Sequence, residues 1–209
     1  MGKVITVAQQ KGGSGKTTLA INLAVEYARQ GKRVALLDTD PQGSLGRWFM
    51  TRREVMGDPG LDLSTASAWG VSYECEKLRK INDLVIVDTP PKVDADLRPA
   101  LREADLVLIP VATSQVDLWA TDGVLDLVSR ERRQPLVVLN RVKPNTNLAR
   151  EVAEAARALS EVATATLGQR VVYAETLGRG LGVVEAGKSA AATEVQVLAA
   201  EVAARLQEG

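Results

Sequence analysis

The sequence has no histidine, one cysteine, and aromatic residues amounting to only 3 % of 209 positions. Without an imidazole there is no His-based triad, no His general base and no His-ligated metal. The lone Cys75 excludes an internal disulfide and fits a reducing, cytoplasmic setting. Scarce aromatics leave the core to Val, Leu, Ile and Ala, and a hydrophobic fraction of 45 % supplies enough of them. An excess of either charge is also missing. The 26 Lys and Arg offset 26 Asp and Glu, so any contact with nucleic acid has to use a local patch. No run approaches the roughly 20 apolar residues that cross a bilayer. The chain enters a strand-like stretch at once, so neither a signal peptide nor a membrane span is expected.

What is present is a series of short, continuous apolar runs: VITVA (4–8), RVALLD (33–38), LVIVD (84–88), LVLIPV (106–111) and LVVLN (136–140). None alternates, which is the pattern of strands buried on both faces of a parallel sheet. LDLSTAS (61–67) is compatible with a short edge strand, and GSLGRWFMTRREVM (43–56) with a helix carrying an exposed basic face. Helical spacing is clearest after residue 16, where Leu19, Leu23 and Tyr27 share a face and Gly31 supplies the stop. Residues 94–105 and 145–163 read as helices opened by Asp94 and by Asn145 or Asn147. Val195, Leu198, Val202 and Leu206 mark a closing helix. The alternation predicts an α/β fold, a doubly wound, mostly parallel sheet flanked by helices, in one domain over 1–209.

The stretch QQKGGSGKTT (9–18) carries the most chemistry. The strict phosphate-loop pattern has its first glycine six residues before the Lys-Thr pair; here that place is Gln10. The chemistry survives the mismatch. Gly12, Gly13 and Gly15 let the backbone bend and aim N–H groups at phosphate oxygens, with Ser14 and Thr18 in the same cradle. The loop follows a strand and opens a helix, whose positive end faces the same anion. Lys16 is placed for the β- and γ-phosphates and the Thr17 hydroxyl for Mg²⁺. Lys11, a second lysine in the same loop, is not needed for this.

Two further strands end in carboxylates, and strand ends of a parallel sheet face the ligand crevice. LLDTDPQGS (36–44) brings Asp38 and Asp40 there; capping of the next helix is the alternative for each. LVIVDTPP (84–91) is four apolar residues followed by Asp88, suited to hold Mg²⁺ through water, with Pro90 and Pro91 stiffening the loop beyond. Asn140 ends another strand; its amide matches the donor and acceptor edge of adenine, a turn-forming role being the alternative. No Asn-Lys-x-Asp stretch for guanine appears, which favours ATP over GTP.

KGGSGKTT, LLDTDPQGS and LVIVDTPP, in this order, resemble the ParA/MinD family of P-loop ATPases with a deviant Walker A motif, and the likeness runs from the first strand to the last helix. The short length is closest to the small ParA subgroup that includes ParF. The resemblance implies an ATP- and Mg²⁺-dependent ATPase of weak intrinsic activity. It implies that Lys11 reaches across an ATP-bound homodimer to the partner's phosphates, that Asp40 positions the attacking water, that Asp38 supports the metal or the loop, and that Asn140 meets adenine. It further implies non-specific DNA binding at the nucleoid and release by a ParB-like or other cargo-bound adaptor, so that a plasmid, chromosome or other large cargo is segregated or positioned. By position, the DNA contacts would fall on Arg170, Arg179 and Lys188. RERR (130–133) and RWFMTRR (47–53) are other basic clusters, each equally readable as a solvated helix face. The glutamate-bearing tail, with Arg205 as its one arginine, argues against a membrane-binding helix of the MinD kind. One cysteine excludes an iron–sulfur bridged dimer, and the absence of tyrosine after Tyr173 excludes a tyrosine-kinase tail. The alternative is a small-molecule ATP-dependent enzyme of the same fold, similar to dethiobiotin synthetase, which leaves Lys11 unexplained.

Overall fold

The computed structural model describes residues 1–67, 69–92 and 97–208. Among them six strands form one parallel sheet: β1 (Lys3–Val7), β2 (Val34–Asp38), β3 (Asp62–Thr65), β4 (Leu84–Asp88), β5 (Leu106–Ala112) and β6 (Pro135–Asn140), in the order β3-β2-β4-β1-β5-β6. The helices are α1 (Lys16–Arg29), α2 (Ser44–Met56), α3 (Gly70–Ile81), α4 (Arg98–Glu103), α5 (Gln115–Trp119), α6 (Asp122–Arg130), α7 (Asn147–Leu159), α8 (Val172–Leu177) and α9 (Ala190–Glu208), with a 3-10 turn at Val183–Glu185.

The non-alternating runs are explained by helices on both faces. Ile5, Val7, Leu36, Ile86 and Leu108 pack with Leu19 and Leu23 of α1, Leu45 of α2 and Val195 and Leu198 of α9. The opposite side chains of the same strands, Val4, Ala35, Leu37 and Val85, meet Val71, Cys75 and Leu78 of α3. Further along, Val107, Ile109 and Val137 meet Val124 and Val128 of α6 and Val152 of α7. Removing both sets from water is the main favourable term in assembling these layers. The edge strand at 61–67 is present as the four-residue, partly exposed β3. The other edge, β6, is covered by the following chain: Val137 N donates to Glu161 O at 2.9 Å, and Leu167 N to Leu139 O at 2.9 Å. That occupies an edge otherwise open to pairing with another chain.

One element end follows expectation and others differ from it. Helix α1 stops at Gln30, and Gly31 follows with φ 84°, the left-handed residue that satisfies the last carbonyls. Helix α7 is capped by Thr146, whose Oγ1 accepts from Ala149 N at 3.2 Å, rather than by Asn145 or Asn147. Asn145 instead takes a left-handed φ of 64° in the turn before it. Asp94, expected to open α4, lies outside the described residues; α4 is seen from Arg98. The basic face of α2 is split, with Arg47 and Arg53 exposed and Arg52 buried. Helix α9 packs on α1, where Tyr27 Oη donates to Ala199 O at 2.8 Å. Among the described residues no helix is long and apolar enough to cross a membrane.

The sheet register decides what meets at its carboxyl edge. Val7 pairs with Asp88, and Asp88 with Asp38, so the exit of β1 and two carboxylates lie side by side.

Candidate active site: a phosphate loop with two lysines

The loop between β1 and α1 is shaped for an anion. Gly13 and Gly15 adopt φ of 76° and 97°, and Gly15 is the N-cap of α1 without a side-chain hydrogen bond. No acidic residue occupies the first turn of α1, so its N–H groups and the positive end of the helix remain available. Lys16 is buried, and desolvation lowers its pKa against the opposing pull of Asp88 and Asp40. Among the described residues it has no hydrogen-bond or ion-pair partner. The Ser14 hydroxyl is likewise buried without a partner. These groups border a cavity of about 570 Å³ lined by Gly12, Gly13, Gly15, Lys16, Thr17 and Thr18 on one side. Unpartnered donors around a glycine cradle fit a polyphosphate.

The carboxylates divide their work. Thr17 Oγ1 donates to Asp88 Oδ2 at 2.6 Å, while the buried Asp88 Oδ1 has no partner. Burial pushes the Asp88 carboxyl up to about 7, opposed by the Thr17 bond and reinforced by the charge of Asp38. A hydroxyl and a half-satisfied carboxylate beside a phosphate cradle fit Mg²⁺, with Thr17 as a ligand and Asp88 holding it through water. The cation would supply charge neutralisation of the phosphates. Among the described residues no three carboxylates or thiols converge as a ready-made metal cluster, so the donor set is complete only with phosphate oxygens. Asp38 is engaged elsewhere: its Oδ1 accepts from Asp40 N at 3.0 Å and its Oδ2 from Gly46 N at 3.1 Å. These bonds tie the end of β2 to the start of α2. Asp40 lines the cavity, with Oδ1 accepting from Gln42 N at 2.9 Å. Thr89 Oγ1 donates to Val7 O at 2.8 Å, and Thr39 Oγ1 to Asp88 O at 2.9 Å, so the three strand ends are cross-tied.

Lys11 lies on the other shoulder of the loop, with its side chain 36 % exposed. Its Nζ donates to Asp117 Oδ2 at 2.9 Å. Asp117 is held in turn by Ser114, whose Oγ donates to the same carboxylate and also accepts Asp117 N at 3.1 Å as the cap of α5. Gln9 completes the bracket: its Nε2 donates to Thr121 Oγ1 at 3.2 Å, and its Oε1 accepts from Gln10 N at 2.8 Å. Lys11 is therefore neither a free loop lysine nor a ligand of its own cavity. The residues that hold it escaped sequence reading, although Ser114 followed three positions later by an acid is a visible helix-start signal.

Asn140 is not turned toward the cavity. Its Nδ2 donates to Ser14 O at 2.8 Å and its Oδ1 accepts from Arg141 N at 2.8 Å, so the amide braces the phosphate loop from β6. A Cβ on Gly15 would come within 2.2 Å of Nδ2 and displace the Asn140 amide, and the φ of 97° strains any residue other than glycine there. The far part of the cavity is instead lined by Arg141, Leu177 and Gly178, and by Arg47, Trp48 and Thr51 of α2.

The basic residues also separate. Arg170 Nη2 donates to Glu194 Oε1 at 2.6 Å, and that hydrogen bond raises its pKa. Glu194 also accepts from Gly168 N at 3.0 Å and Tyr173 Oη at 3.2 Å, so Arg170 belongs to a bracket under α9. Arg179 and Lys188 are exposed and, among the described residues, carry no ion pair. In the 130–133 cluster Arg130 pairs with Asp126 at 2.8 Å, and Glu131 takes Arg98 and Arg102.

Comparison with known proteins agrees with this geometry. The family described as the CobQ/CobB/MinD/ParA nucleotide binding domain matches residues 5–183, which include the phosphate loop, Asp38, Asp40, Asp88 and Asn140. The maintenance of carboxysome distribution protein A of Halothiobacillus neapolitanus is 30 % identical over 211 residues, covering 95 % of each chain. The chromosome-partitioning ATPase Soj of Thermus thermophilus is 37 % identical over 151 residues, 60 % of this chain and 59 % of Soj. In three dimensions apo McdA of Cyanothece superposes with a TM-score of 0.81 at 18 % identity, covering 99 % of this chain and 100 % of that one. The chain belongs to the CobQ/CobB/MinD/ParA nucleotide-binding family and is an ATPase of its ParA/MinD branch.

Proposed function

We propose that this chain is a positioning ATPase of the ParA type, a single unit over 1–209 that works as an ATP-dependent homodimer. Mg–ATP binds at Gly12–Thr18, with Lys16 on the phosphates, Thr17 and Asp88 on the metal and Asp40 orienting the attacking water. Lys11 leaves Asp117 and neutralises the phosphates held by the second copy. The dimer binds duplex DNA without sequence preference, which keeps it on the nucleoid in the cytoplasm. A ParB-like or other cargo-bound adaptor then stimulates hydrolysis and releases it. The cargo is a large body; the names of the relatives speak of carboxysome distribution and of chromosome partitioning. A plasmid is served by the same switch.

The observation that carries this reading is Lys11. An enzyme that phosphorylates or ligates a small molecule uses one nucleotide per site and has no use for a second loop lysine. Here one stands in the same loop, paired with Asp117 and with its side chain 36 % exposed. The test is binding to random-sequence duplex DNA with Mg²⁺ and ATP, ADP or no nucleotide, over a salt series. Binding with ATP alone, falling steeply with salt, is expected. ATP turnover that requires a small-molecule substrate and ignores DNA would replace the reading with the metabolic alternative.

A further inference from the structure

Arg52 is a charged residue with no role in the chemistry above, yet it is 3 % exposed and makes four hydrogen bonds. Its Nη1 and Nη2 form a fork on Glu185, each at 2.8 Å. Nη1 also donates to Gly180 O at 3.1 Å, and Nε to Pro59 O at 2.7 Å. Its guanidinium lies 5.5 Å from the centre of the Trp48 ring on the same helix. Trp48 Nε1 reaches Leu181 O at 3.4 Å, and Gly182 N donates to Glu185 Oε2 at 2.9 Å. Contact between α2 and the 180–185 segment is as close as backbones allow. A Cβ on Gly180 would lie 2.4 Å from Arg52 N, and Gly180 takes a left-handed φ of 71°. Buried ion pairs add little net stability compared with apolar replacements, so their geometry is a better guide to their use than their energy.

That geometry points at the nucleotide cavity. The pinned segment directly follows Leu177 and Gly178, which line the same cavity as the phosphate loop. The helix that pins it contributes Arg47, Trp48 and Thr51 to the same cavity. Trp48, Leu177 and Pro91 are the apolar side chains larger than glycine in this lining, and Pro91 belongs to the loop after Asp88 at the metal end. An aromatic base therefore finds its apolar surface at Leu177, which is partly exposed, backed by the buried Trp48. Asn140, the polar group suggested for the base, gives one N–H to Ser14 O. The N-terminus of α2 is fastened at Gly46 to Asp38, so one helix joins the strand end beside the metal site to the wall where a base would lie.

We propose that Arg52 is a positioning residue for the base of the nucleotide: the Arg52–Glu185 fork sets the wall made by Leu177, Gly178 and Trp48, while the phosphate loop needs neither partner. This rests on the ATP reading above. The test compares Mg–ADP with Mg–pyrophosphate by calorimetry, because neither ligand carries the γ-phosphate that drives dimerisation. Arg52→Met alone leaves Glu185 buried without its partner, so Arg52→Met/Glu185→Met, which removes both charges, is measured with it. Trp48→Phe keeps the ring but removes the bond to Leu181. In the double variant, ADP affinity is expected to fall about tenfold while pyrophosphate affinity stays within twofold. Trp48→Phe is expected to shift the same ratio in the same direction by about threefold. Equal losses for both ligands, or no loss for either, would overturn the proposal and leave Arg52 as a strut. A wild-type protein that binds ADP no better than pyrophosphate would overturn the base site itself; one that binds neither would overturn the nucleotide reading beneath it.

Discussion

Lys11 and Lys16 lie in one loop and are held in opposite ways. Lys16 is buried, and the described residues place no counter-ion at contact distance from it. Lys11 is half-exposed and already satisfied by Asp117. A phosphate arriving at Lys16 supplies what burial has withheld, so that encounter is favourable without rearrangement. For Lys11, reaching any other anion is an exchange, in which the new contact has to exceed the one it leaves. On the proposed reading, Lys16 is therefore the lysine that binds and Lys11 the one that exchanges partners.

The sharpest break in this comparison is Lys16→Ala. Charge-assisted hydrogen bonds contribute about 1.5–3 kcal/mol each, so Mg–ADP affinity should fall by about 100-fold, measured by calorimetry. An affinity retained within a few-fold would mean that the backbone cradle alone holds the phosphates. Lys11→Ala should do the converse. ADP binding is expected to stay within about threefold, given the exposed side chain, while ATP-dependent dimers disappear from light scattering. If dimers persisted, the exchange described here would not be their trigger.

Asp88 sharpens the contrast from the other side. Burial disfavours its charge and pushes the carboxyl up to about 7. In the nucleotide-free protein the folded state therefore holds a proton that the unfolded chain gives up near pH 4. Stability should then fall as pH rises between about 4 and 7, by up to about 1.4 kcal/mol per pH unit. Melting across this range should lose that slope in Asp88→Asn. An unchanged slope would mean that Asp88 is ionised in the resting protein and already acts as the counter-charge to Lys16. Releasing the other lysine is a smaller effect. Asp117→Asn keeps the shape but removes the charge facing Lys11, and dimerisation at limiting ATP should improve about three- to tenfold, the equivalent of one such bond partly retained. Weaker dimerisation would show that Asp117 is needed to shape the loop.

How much of this was legible in the sequence follows from the range of each interaction. The five buried strands were readable because burial on both faces leaves an unbroken apolar run, and the edge strand β3 because it is short and bounded. The phosphate loop was readable despite Gln10, since Gly13 and Gly15 do take positive φ and α1 does start at Lys16. What sequence could not supply is where polar side chains find partners far along the chain. Asn140 and Ser14 are 126 residues apart, Lys11 and Asp117 106, and Arg52 and Glu185 133. Asn140 carries the right chemistry for a base, but its hydrogen bond to Ser14 O is not readable from the sequence. Arg52 reads as part of a basic face, yet the acid that buries it belongs to another element.

The same lesson orders the smallest effects, those on DNA. Arg170, Arg179 and Lys188 are equivalent as sequence, three cations in the last third of the chain. In the fold, Arg170 is neutralised by Glu194, which also holds Gly168 and Tyr173, whereas Arg179 and Lys188 are exposed without an ion pair among the described residues. A phosphate contact releases counterions only if the cation is free to make it, and each such contact steepens the salt dependence by roughly one unit of log K against log salt. Arg179→Ala and Lys188→Ala should each weaken ATP-dependent binding a few-fold, equally on unrelated duplexes, with a shallower salt slope. Arg170→Ala should leave the slope unchanged and lower the melting temperature instead, because it strips one partner from a half-buried acid. The reverse pattern would mean that Glu194 yields Arg170 to DNA when α9 meets the duplex, and the bracket under α9 would then be a second switch, built on the same exchange of partners as Lys11.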